Sequence, residues 1–576
     1  MRSFKYIFVI IHIFTLLPYL HSGTPDPVFA ENGMVVSTSR QASEAGIKIL
    51  KKGGNAVDAA VAVGFAIAVT SSSNGNIGGG GFMIGVSDKG ERFTLDHRDK
   101  APDSAHRDMF LDDMGNVIPN MSLYTRAGSG VPGTVSGLLK AWADHGSGNI
   151  TRYQILAPAI RLADKGFILS YYEAERFNNN RELFQTNAAA AKIFIRKDGR
   201  PWKKGDRFIQ NDLARTLKRI AKFGQEGFYN GPVADMIIEE MKRGNGLITH
   251  EDLKNYNSIY REPVRGTFHN IEILSMGPPS SGGLLLIQML NMLENFRLDT
   301  MGWNSVDYIH LLTEIERRAY ADRAEHLGDE DFWDVPAEML LSKNYAKARI
   351  SDISMKKATP SKDVFSGPLA GYESPETTHY SVVDKNGYAV AVTTTINLGY
   401  GGGHLVAGAG FFLNNEMDDF SIKPGFPNAY GLVGNEANAI RAAKRPLSSM
   451  SPTILLFDDE PLMTVGTPGG STIITTVLQC IINVVLHRMD IKEAVCSPRV
   501  HHQWLPPDAI HIEPRSIPKD VINILESRGH IITPYGGGSG KQGYIGEANG
   551  ILITDCLLYT SPSPRDLSTS RMPSSA

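Results

Sequence analysis

Hydrophobic and polar positions near the start of the chain follow a helical period that glycines interrupt. The pattern predicts a helix over residues 42–52 that ends at Gly53 and Gly54, because glycine commonly follows a helix C-terminus. Asn55 then predicts the N-cap of a second helix, with Asp58 at its third position. The sequence from there to about Val69 is apolar on every face, so the second helix is predicted to be buried.

Strand-like alternation follows the glycine run at residues 78–81. Residues 82–86 and 92–97 predict a hairpin that turns at residues 88–90. From about residue 130 to residue 360 the pattern is mostly helical and chemically quiet. Strands return at Thr377, because residues 379–384 and 388–396 alternate on either side of a turn at residues 385–387.

The turn of this last hairpin allows two registers. A three-residue loop with Gly387 in the left-handed conformation places Asp384 opposite Tyr388 and Thr377 opposite Thr395. A two-residue Asn-Gly turn places Thr378 opposite Thr395 instead. In either register the second strand carries Thr393, Thr395 and Asn397 on one face, although threonine is common in strands for reasons of propensity alone.

Composition places the chain among ordinary globular proteins. Its 576 residues are 42% hydrophobic and 21% charged, and no repeat, coiled coil or Pro-rich linker divides residues 31–555. The 58 basic and 61 acidic residues nearly balance, so charge gives no reason to expect nucleic acid as a partner. The three cysteines, Cys480, Cys496 and Cys556, exclude a disulfide scaffold and a Cys-type zinc site.

The two ends of the chain differ from the rest. Arg2 and Lys5 precede an apolar run over residues 6–20, which predicts an export signal or signal anchor within residues 1–30. We therefore expect an extracellular, periplasmic or cell-surface protein, held at a membrane only if this segment is retained. Residues 556–576 are Ser- and Pro-rich and lack the apolar residues of a core, so we interpret them as a non-native or disordered tail.

The glycine runs and the His501-His502 pair could suggest a nucleotide or a metal. Residues 78–81 lack the following Lys-Ser/Thr of a P-loop, and His404 and Val406 stand where a dinucleotide fingerprint after Gly399 needs its third glycine. Adjacent histidines on a strand point to opposite faces, and no third ligand has a suitable spacing. We therefore predict neither a metal nor an organic cofactor.

A series of ordered motifs resembles the γ-glutamyltransferases (glutathione hydrolases), which are N-terminal-nucleophile hydrolases. The stretch that carries chemistry is Glu376-Thr-Thr-His-Tyr-Ser-Val-Val-Asp-Lys-Asn-Gly387, followed by Thr393-Thr-Thr-Ile-Asn397. The resemblance runs from about residue 32 to residue 554. The other motifs, in chain order, are Gly53-Gly-Asn-Ala-Val-Asp-Ala-Ala60, Ile77-Gly-Gly-Gly-Gly-Phe82, Leu95-Asp-His-Arg98, Val131-Pro-Gly133, Gly277-Pro-Pro-Ser-Ser-Gly-Gly283, Ala321-Asp-Arg323, Asn414-Asn-Glu-Met-Asp-Asp-Phe420, Arg445-Pro-Leu-Ser-Ser-Met-Ser-Pro452, Gly466-Thr-Pro-Gly-Gly-Ser471 and His501-His-Gln-Trp504.

The resemblance implies an α/β (α+β) fold, a four-layer αββα sandwich of the N-terminal-nucleophile hydrolase type. It implies that the precursor cuts itself between Glu376 and Thr377. The products would be a large subunit, residues 31–376, and a small catalytic subunit, residues 377–555, which share one core as a heterodimer. Self-cleavage suits the chemistry, because a threonine hydroxyl is a weak nucleophile without a base and the freed α-amine supplies one.

The resemblance also assigns roles to individual residues. Thr377 would attack a γ-glutamyl amide, Thr395 would orient its hydroxyl, and the N–H groups of Gly469 and Gly470 would form the oxyanion hole. The implied activity is hydrolysis of glutathione and other γ-glutamyl compounds through a γ-glutamyl-Thr ester, or transfer to amino-acid and dipeptide acceptors. The implied substrate-binding residues are Arg98, Ser448 and Ser449 for the α-carboxylate, Asn397, Glu416 and Asp419 for the α-ammonium, and Tyr430 as a lid.

Two alternatives to this function differ in chemistry. A related acylase would prefer another acyl group, such as a β-lactam side chain, but the acidic pair Glu416 and Asp419 argues against it because a simple diacid carries no cation. An unprocessed, non-catalytic surface protein is the other alternative. The presence of Thr377, Thr395 and Arg98 argues against that interpretation.

Overall fold

The computed structural model describes residues 26–364, 377–505, 509–537, 541–554, 558–561 and 570–571. Most of the export segment, Glu376 and most of the tail at 556–576 lie outside these residues. The export signal, the subunit boundaries and the nature of the tail therefore stay predictions. Within the described ranges, every helix is too short or too polar to cross a membrane.

The structure is a mixed α/β fold whose helices lie mainly in the first two-thirds of the chain. The described residues also include short 3-10 turns at Arg126–Gly128, Ser361–Asp363, Glu416–Asp419 and Glu436–Asn438. The helices are α1 Arg40–Lys51, α2 Ala56–Thr70, α3 Met121–Tyr124, α4 Thr134–His145, α5 Arg152–Lys165, α6 Tyr171–Asn179, α7 Arg181–Gln185, α8 Ala188–Phe194, α9 Asn211–Phe223, α10 Glu226–Tyr229, α11 Pro232–Lys242, α12 His250–Lys254, α13 Gly282–Leu293, α14 Leu298–Met301, α15 Val306–His326, α16 Ala337–Leu341, α17 Lys343–Arg349, α18 Thr472–Val485, α19 Ile491–Cys496 and α20 Lys519–Ser527.

The strands are distributed along the described chain from residue 28 to residue 571. They are β1 Val28–Ala30, β2 Gly33–Ser37, β3 Gly80–Val86, β4 Arg92–Asp96, β5 Phe167–Ile168, β6 Arg207–Phe208, β7 Ile259–Arg261, β8 Val264–Phe268, β9 Ile271–Ser275, β10 Thr378–Asp384, β11 Ala389–Thr395, β12 Thr453–Phe457, β13 Glu460–Gly466, β14 Val500–His501, β15 Ala509–Ile512, β16 Ile531–Pro534, β17 Gly536–Gly537, β18 Lys541–Gln542, β19 Asn549–Ile553, β20 Leu558–Ser561 and β21 Ser570–Arg571.

Two antiparallel seven-stranded sheets form the centre of the molecule. Sheet I has the order β21-β2-β10-β11-β3-β4-β7, and sheet II has the order β1-β20-β19-β13-β12-β9-β8. Strands β10 and β11 of sheet I contact β13 and β19 of sheet II, and an apolar cluster that includes Ile84, Ala391, Ile454 and Ile551 lies between the sheets. Strands β20 and β21 belong to the segment interpreted above as a tail.

Helices pack on both sheets. Helix α2 packs on β10 and β11, and α13 packs on β8 and β9. The predictions for the first two helices are confirmed: α1 ends at Lys51 before Gly53, whose φ is 87°, and α2 carries the Asn55–Asp58 capping box. Every residue of α2 is buried, as its uniformly apolar sequence indicates.

The central hairpin adopts the three-residue loop. Thr378 pairs with Thr394, the Asp384 N–H donates to the Tyr388 carbonyl at 3.1 Å, and Gly387 has a φ of 85°. Extending this register by one residue sets Thr377 opposite Thr395. The alternative two-residue turn, with Thr378 opposite Thr395, is wrong.

The middle of the chain is less uniform than its pattern predicts. Helices predominate, but β7, β8 and β9 interrupt them, and β8 and β9 pair at one edge of sheet II. The first hairpin prediction is confirmed, with β3 and β4 paired from Phe82–Asp96 to Val86–Arg92.

Candidate active site

Thr377 lies directly before β10, near the middle of sheet I. Its side chain is almost fully buried, with 4% of the residue exposed, and Asn74 Nδ2 donates to its carbonyl oxygen at 2.9 Å. Thr377 contributes to the wall of a cleft of about 310 Å³, which we name the first cavity. The first cavity is lined by Arg98, Arg323, Thr377, Thr395, Asn397, Asp419, Tyr430, Leu432, Leu447, Ser448, Ser449, Met450, Gly470 and Ile473.

The structure therefore gathers most of the predicted site residues around one cleft. Two predicted residues are not in its lining: Glu416 lies behind Arg98, and Gly469 directly precedes the lining residue Gly470. The cleavage residue Glu376 lies outside the described residues. The remaining predicted residues, which come from positions 98 to 470, all contact the first cavity.

Thr395 and Asn397 lie where β11 ends. Asn397 adopts a φ of 70°, and its N–H donates to Thr395 Oγ1 at 2.8 Å. Its Nδ2 donates to the Asn415 carbonyl at 2.9 Å, which fixes the orientation of the amide. The Oδ1 atom is buried and has no hydrogen-bond partner among the described residues. A buried, oriented acceptor of this kind suits a ligand that brings an N–H donor.

Arg98 is fully buried at the end of the hairpin, and it pairs with two carboxylates. Its guanidinium donates to Glu416 and, at 2.5 Å, to Asp419 Oδ2, while Nε donates to the Pro446 carbonyl at 3.3 Å. Burial disfavours the charged form of Arg98, but the attraction of the two carboxylates together is larger and raises the pKa of Arg98. At the first cavity, Arg98 thus places a guanidinium beside two acidic groups, an arrangement that suits a ligand carrying both a carboxylate and an ammonium.

Burial also acts on Glu416. It raises the pKa of this carboxyl to about 8, against the attraction of Arg98, and Glu416 Oε1 has no partner among the described residues. The backbone N–H of Glu416 donates to Asn414 Oδ1 at 3.0 Å. Asn414 Nδ2 in turn donates to Asp99 Oδ1 at 2.9 Å and to the Gly130 carbonyl at 2.8 Å. Asn414 therefore fixes the turn that carries the acidic residues, a positioning role that its motif alone did not reveal.

Ser448 and Ser449 form another part of the wall. The Ser448 carbonyl accepts two hydrogen bonds from Ser281, from its N–H at 2.8 Å and from its Oγ at 2.7 Å. The Ser449 hydroxyl is buried without a partner in the described part of the chain. The backbone of the pair is therefore fixed while one hydroxyl stays available to a ligand.

Gly469 and Gly470 precede helix α18 in conformations that favour glycine, with φ values of 144° and 56°. Their carbonyls accept from Thr472 N at 3.1 Å and from Ile473 N at 3.3 Å. Within the described ranges neither glycine N–H has an acceptor. Two free N–H groups at the start of a helix are suited to stabilise a developing negative charge.

Tyr430 covers this part of the cavity. Its hydroxyl donates to the Asn397 carbonyl at 2.7 Å, and a Cβ placed on Gly470 would lie 2.3 Å from the Tyr430 ring. Asn428 Nδ2 donates to Asp419 Oδ1 at 3.1 Å, so the same loop also contacts the acidic pair. The predicted lid residue therefore contacts the residues predicted for both catalysis and binding.

Arg323 also lines the first cavity, although its sequence motif indicates no role for it. It lies on α15, and its Nε donates to Ser281 Oγ at 3.0 Å. Among the described residues no carboxylate forms an ion pair with Arg323, and burial lowers its pKa to about 10. The motif Ala321-Asp-Arg323 was visible in sequence, but an arginine in a helical segment looks like a solvated surface residue until the fold buries it.

The paired histidines have structural partners. His501 Nδ1 contacts Thr475 Oγ1 at 2.8 Å, and the His502 N–H donates to Glu316 Oε2 at 2.8 Å. Within the described ranges, no group of three or more His, Cys, Asp or Glu residues could hold a metal ion.

Asp418, next to the acidic pair, gives a pH-dependent prediction. Burial raises its pKa to about 6, although it accepts from Ser122 Oγ at 2.6 Å and from Ala429 N at 2.8 Å. Because the folded protein binds this proton more tightly than the unfolded chain does, protonated Asp418 stabilises the fold. This contribution is complete below the pKa that Asp418 has in the unfolded chain, and it is lost as the pH rises through about 6. Asp418→Asn keeps the shape of the side chain without its charge. As the pH rises from the pKa of Asp418 in the unfolded chain to its pKa in the folded protein, the free energy of unfolding of this variant should rise relative to that of the parent protein by up to about 3 kcal/mol. Thermal melting of both proteins between pH of about 4 and 7 measures this; a constant difference would contradict it.

Comparison with known proteins agrees with this site. The family model described as Gamma-glutamyltranspeptidase matches residues 42–568. The chain is 45% identical over 542 residues to the glutathione hydrolase proenzyme of Escherichia coli (strain K12), covering 94% of this chain and 92% of that protein. It is 35% identical to the acylase ACY 1 proenzyme of Pseudomonas sp. (strain V22), covering 88% of each.

Solved structures give the same relationship. The cephalosporin acylase of Bacillus halodurans superposes with a TM-score of 0.82 at 25% identity, covering 96% of this chain and 98% of that chain. The gamma-glutamyltranspeptidase of Helicobacter pylori superposes with a TM-score of 0.56 at 42% identity, covering 60% of this chain and 96% of that chain.

Proposed function

The chain belongs to the gamma-glutamyltranspeptidase family, and on that premise we propose that it hydrolyses glutathione and other γ-glutamyl compounds, or transfers their γ-glutamyl group. The observation that carries the proposal is the first cavity. It brings Thr377, the Gly470 amide and the Arg98–Asp419 cluster to one cleft. An amino-acid head group and a reacting carbonyl would both find partners there.

Maturation precedes catalysis in this proposal. The chain is cut between Glu376 and Thr377, and the α-amine of Thr377 is released as a base. Strands β10 and β11 lie between β2 and β3 of sheet I, which supports a product whose large and small subunits remain in one core. The packing of α2 and α13 on the two sheets supports the finer description of the fold as a four-layer αββα sandwich.

In turnover, the Thr377 hydroxyl attacks the γ-carbonyl carbon and its proton passes to the α-amine. The N–H groups of Gly469 and Gly470 stabilise the oxyanion, and the amide C–N bond then breaks as the leaving amine takes the proton. Thr395 orients the nucleophile from the opposite position on β11. Water releases glutamate from the resulting ester, or an amine takes over the γ-glutamyl group.

The charged groups of the first cavity would select the substrate. Glu416, Asp419 and the Asn397 amide oxygen hold the α-ammonium of the glutamyl group. Arg98 and the Ser448–Ser449 pair hold the α-carboxylate. An acyl group without an ammonium would leave the acidic residues without their ligand.

This selectivity separates the proposal from an acylase with another acyl preference. We expect the mature protein to cleave γ-glutamyl-p-nitroanilide with a kcat/KM at least about 100-fold above that for glutaryl-p-nitroanilide, because the acidic groups lose a charged partner. Release of nitroaniline measures both reactions. Equal rates would instead favour the acylase function.

Arg323 should add to carboxylate binding, because its guanidinium contacts the cavity without a carboxylate partner in the described part of the chain. Arg323→Met is expected to lower kcat/KM for γ-glutamyl-p-nitroanilide by about 10-fold or more, mainly through KM, and Arg323→Lys by less. The loss should be smaller for 4-aminobutyryl-p-nitroanilide, which lacks the α-carboxylate. Equal losses on both anilides would contradict this role.

We also propose that the protein is exported, as the segment within residues 1–30 indicates. N-terminal sequencing of the large subunit from culture fractions tests this. A large subunit that starts at Met1 in the cytoplasmic fraction would contradict export.

A further inference from the structure

The motif His501-His-Gln-Trp504 takes no part in the chemistry described above, although all four of its residues are buried. It begins at the end of strand β14. Gln503 does not belong to the described lining of the first cavity. Any effect of Gln503 on the site must therefore pass through the residues that it contacts.

A chain of hydrogen bonds runs from helix α18 through His501 and Gln503 to Tyr430. Thr475 Oγ1, on α18, lies 2.8 Å from His501 Nδ1. His501 Nε2 lies 3.0 Å from Gln503 Oε1, and Gln503 Nε2 donates to the Tyr430 carbonyl at 3.2 Å. Helix α18 is the helix that follows Gly470, so the chain joins the lid residue to the element behind the predicted oxyanion hole.

The chemistry of these groups fixes the direction of each hydrogen bond. The Tyr430 carbonyl only accepts, so the NH2 group of Gln503 faces it and the amide oxygen faces His501. Burial lowers the pKa of His501 to about 3, so the ring is neutral and carries its proton on Nε2, toward that oxygen. His501 Nδ1 then accepts from the Thr475 hydroxyl, which is nearer to it than to the Thr472 carbonyl at 3.2 Å. Each link thus has one donor and one acceptor.

Tyr430 lies near the middle of residues 421–438, which we name the lid loop. The acidic turn holds one side of this region, since the Ala429 N–H donates to Asp418 Oδ2 at 2.8 Å. Gln503 holds the carbonyl of the next residue, from a part of the chain more than 70 residues away. The lid loop is therefore fixed both by its own neighbourhood and by the chain from α18.

We propose that Gln503 is a positioning residue that holds the lid loop over the first cavity by binding the Tyr430 carbonyl. With this carbonyl fixed, the Tyr430 ring lies against Gly470 and its hydroxyl reaches the Asn397 carbonyl. The inference rests on the proposed function, because the lid loop covers the cleft that would bind the γ-glutamyl group. A lid that is ordered before substrate arrives costs less to order on binding, so Gln503 acts mainly on KM.

Gln503→Glu changes one link of the chain and keeps the size of the side chain. The ionised carboxylate still accepts from His501, but it presents a second acceptor to the Tyr430 carbonyl in place of the donor. The protonated carboxyl donates to that carbonyl again. Burial raises the pKa of such a carboxyl, which brings its titration closer to neutral pH. Gln503→Met is the companion variant, because it has a similar size and does not donate at any pH.

Steady-state kinetics of the mature full-length protein with γ-glutamyl-p-nitroanilide measure the effect. At a pH of about 8, Gln503→Glu should raise KM by about fivefold or more over the parent value and change kcat by less than about twofold. At a pH of about 5, the ratio of the two KM values should return close to one, because the carboxyl is protonated. For Gln503→Met the ratio should stay raised at both pH values.

Other ionisable side chains near the chain are common to the parent protein and the variants. They are His511 and Tyr320 beside His501, Glu316 and Arg317 beside His502, and Asp418 beside the lid loop. Burial lowers the pKa of His502 and raises that of Glu316. Because these groups titrate in every protein compared, a recovery confined to Gln503→Glu reports the new carboxyl.

The matched control is Gln210→Glu. Gln210 is also buried, and its Nε2 donates to the Val69 carbonyl at 2.8 Å. Neither residue belongs to the described lining of the first cavity. We expect this variant to lose stability as Gln503→Glu does and to keep the parent KM at both pH values.

Digestion with chymotrypsin follows the lid loop without relying on activity. Phe426 in this loop is 43% exposed, so it is a site at which the protease can cut. At a pH of about 8, cleavage at Phe426 should be about threefold or more faster in Gln503→Glu than in the parent protein and in Gln210→Glu. Mass spectrometry of the fragments identifies the cut, and a denaturing gel confirms that each protein is mature.

Each outcome supports or overturns the inference. It is overturned if Gln503→Glu keeps the parent KM, if Gln210→Glu raises KM equally, or if Gln503→Met recovers at low pH as Gln503→Glu does. Those results would leave the proposed function intact. If the parent protein releases no nitroaniline, the proposed function itself fails. The digestion then decides whether Gln503 holds the lid loop, and equal cleavage at Phe426 in all proteins would show that it does not.

Discussion

Replacing Thr377 with alanine is expected to leave the chain uncut and to lower γ-glutamyl hydrolysis by about 10⁴-fold or more, because one residue provides the attacking hydroxyl in both reactions. In the proposed mechanism Thr377 is also the source of the α-amine base, and an uncut chain does not release that amine, so the single substitution removes both groups. Denaturing gels show the cleavage, and nitroaniline release from γ-glutamyl-p-nitroanilide shows the activity.

Thr378→Ala is the matched control. Thr378 is the next residue of the same strand, and its hydroxyl meets Thr38 Oγ1 at 3.0 Å rather than lining the first cavity. We expect this variant to be cut and active, with a stability loss of about 1 kcal/mol for the missing hydrogen bond. A Thr377→Ala chain that is cut normally would refute the assignment of the nucleophile.

Replacing Arg98 with methionine is the second large change. The substitution leaves buried Glu416 and partly buried Asp419 without their cation, so we expect the free energy of unfolding to fall by about 3–5 kcal/mol. It also removes a carboxylate-binding group, and kcat/KM for γ-glutamyl substrates should fall by at least about 100-fold. Thermal melting and steady-state kinetics measure the two effects.

Arg92→Met controls for the loss of an arginine in the same hairpin. Arg92 pairs with Glu272 at 2.9 Å and with Asp459 at 2.8 Å, and the Asp459 side chain is 87% exposed. Such a pair contributes about 1 kcal/mol or less, so this variant should remain stable and active. If Arg98→Met were as stable and active as Arg92→Met, the buried cluster would not bind substrate as proposed.

The sequence predicts the first two helices and the first hairpin well, because strong short-range signals specify them. Asn55 and Asp58 form the capping box that their spacing predicts, and β3 and β4 form the predicted hairpin. The sequence does not decide the register of the central hairpin, since a Lys-Asn-Gly turn is compatible with both loop lengths. In the fold β10 also pairs with β2, and β11 also pairs with β3. The three-residue loop that joins β10 and β11 has Gly387 in the left-handed conformation.

Long-range contacts account for what the sequence missed. Arg98 and Glu416 are 318 residues apart in sequence, and pattern reasoning gave no distance between them. Resemblance named both residues but assigned them to opposite charges of the substrate, whereas the structure pairs them directly. Arg323 was missed because only tertiary packing brings that part of α15 to the first cavity. The strands β8 and β9 were missed because they are short and lie within a mostly helical stretch.

The central claim is that Thr377 becomes the N-terminal residue of a small subunit and carries the γ-glutamyl group. Intact-mass analysis of the small subunit, before and after an acid quench during turnover of glutathione, tests this most directly. We predict a fragment that begins at Thr377 and gains the mass of one γ-glutamyl group on that residue. A fragment with another N-terminus, or a γ-glutamyl group on a different residue, would contradict the account.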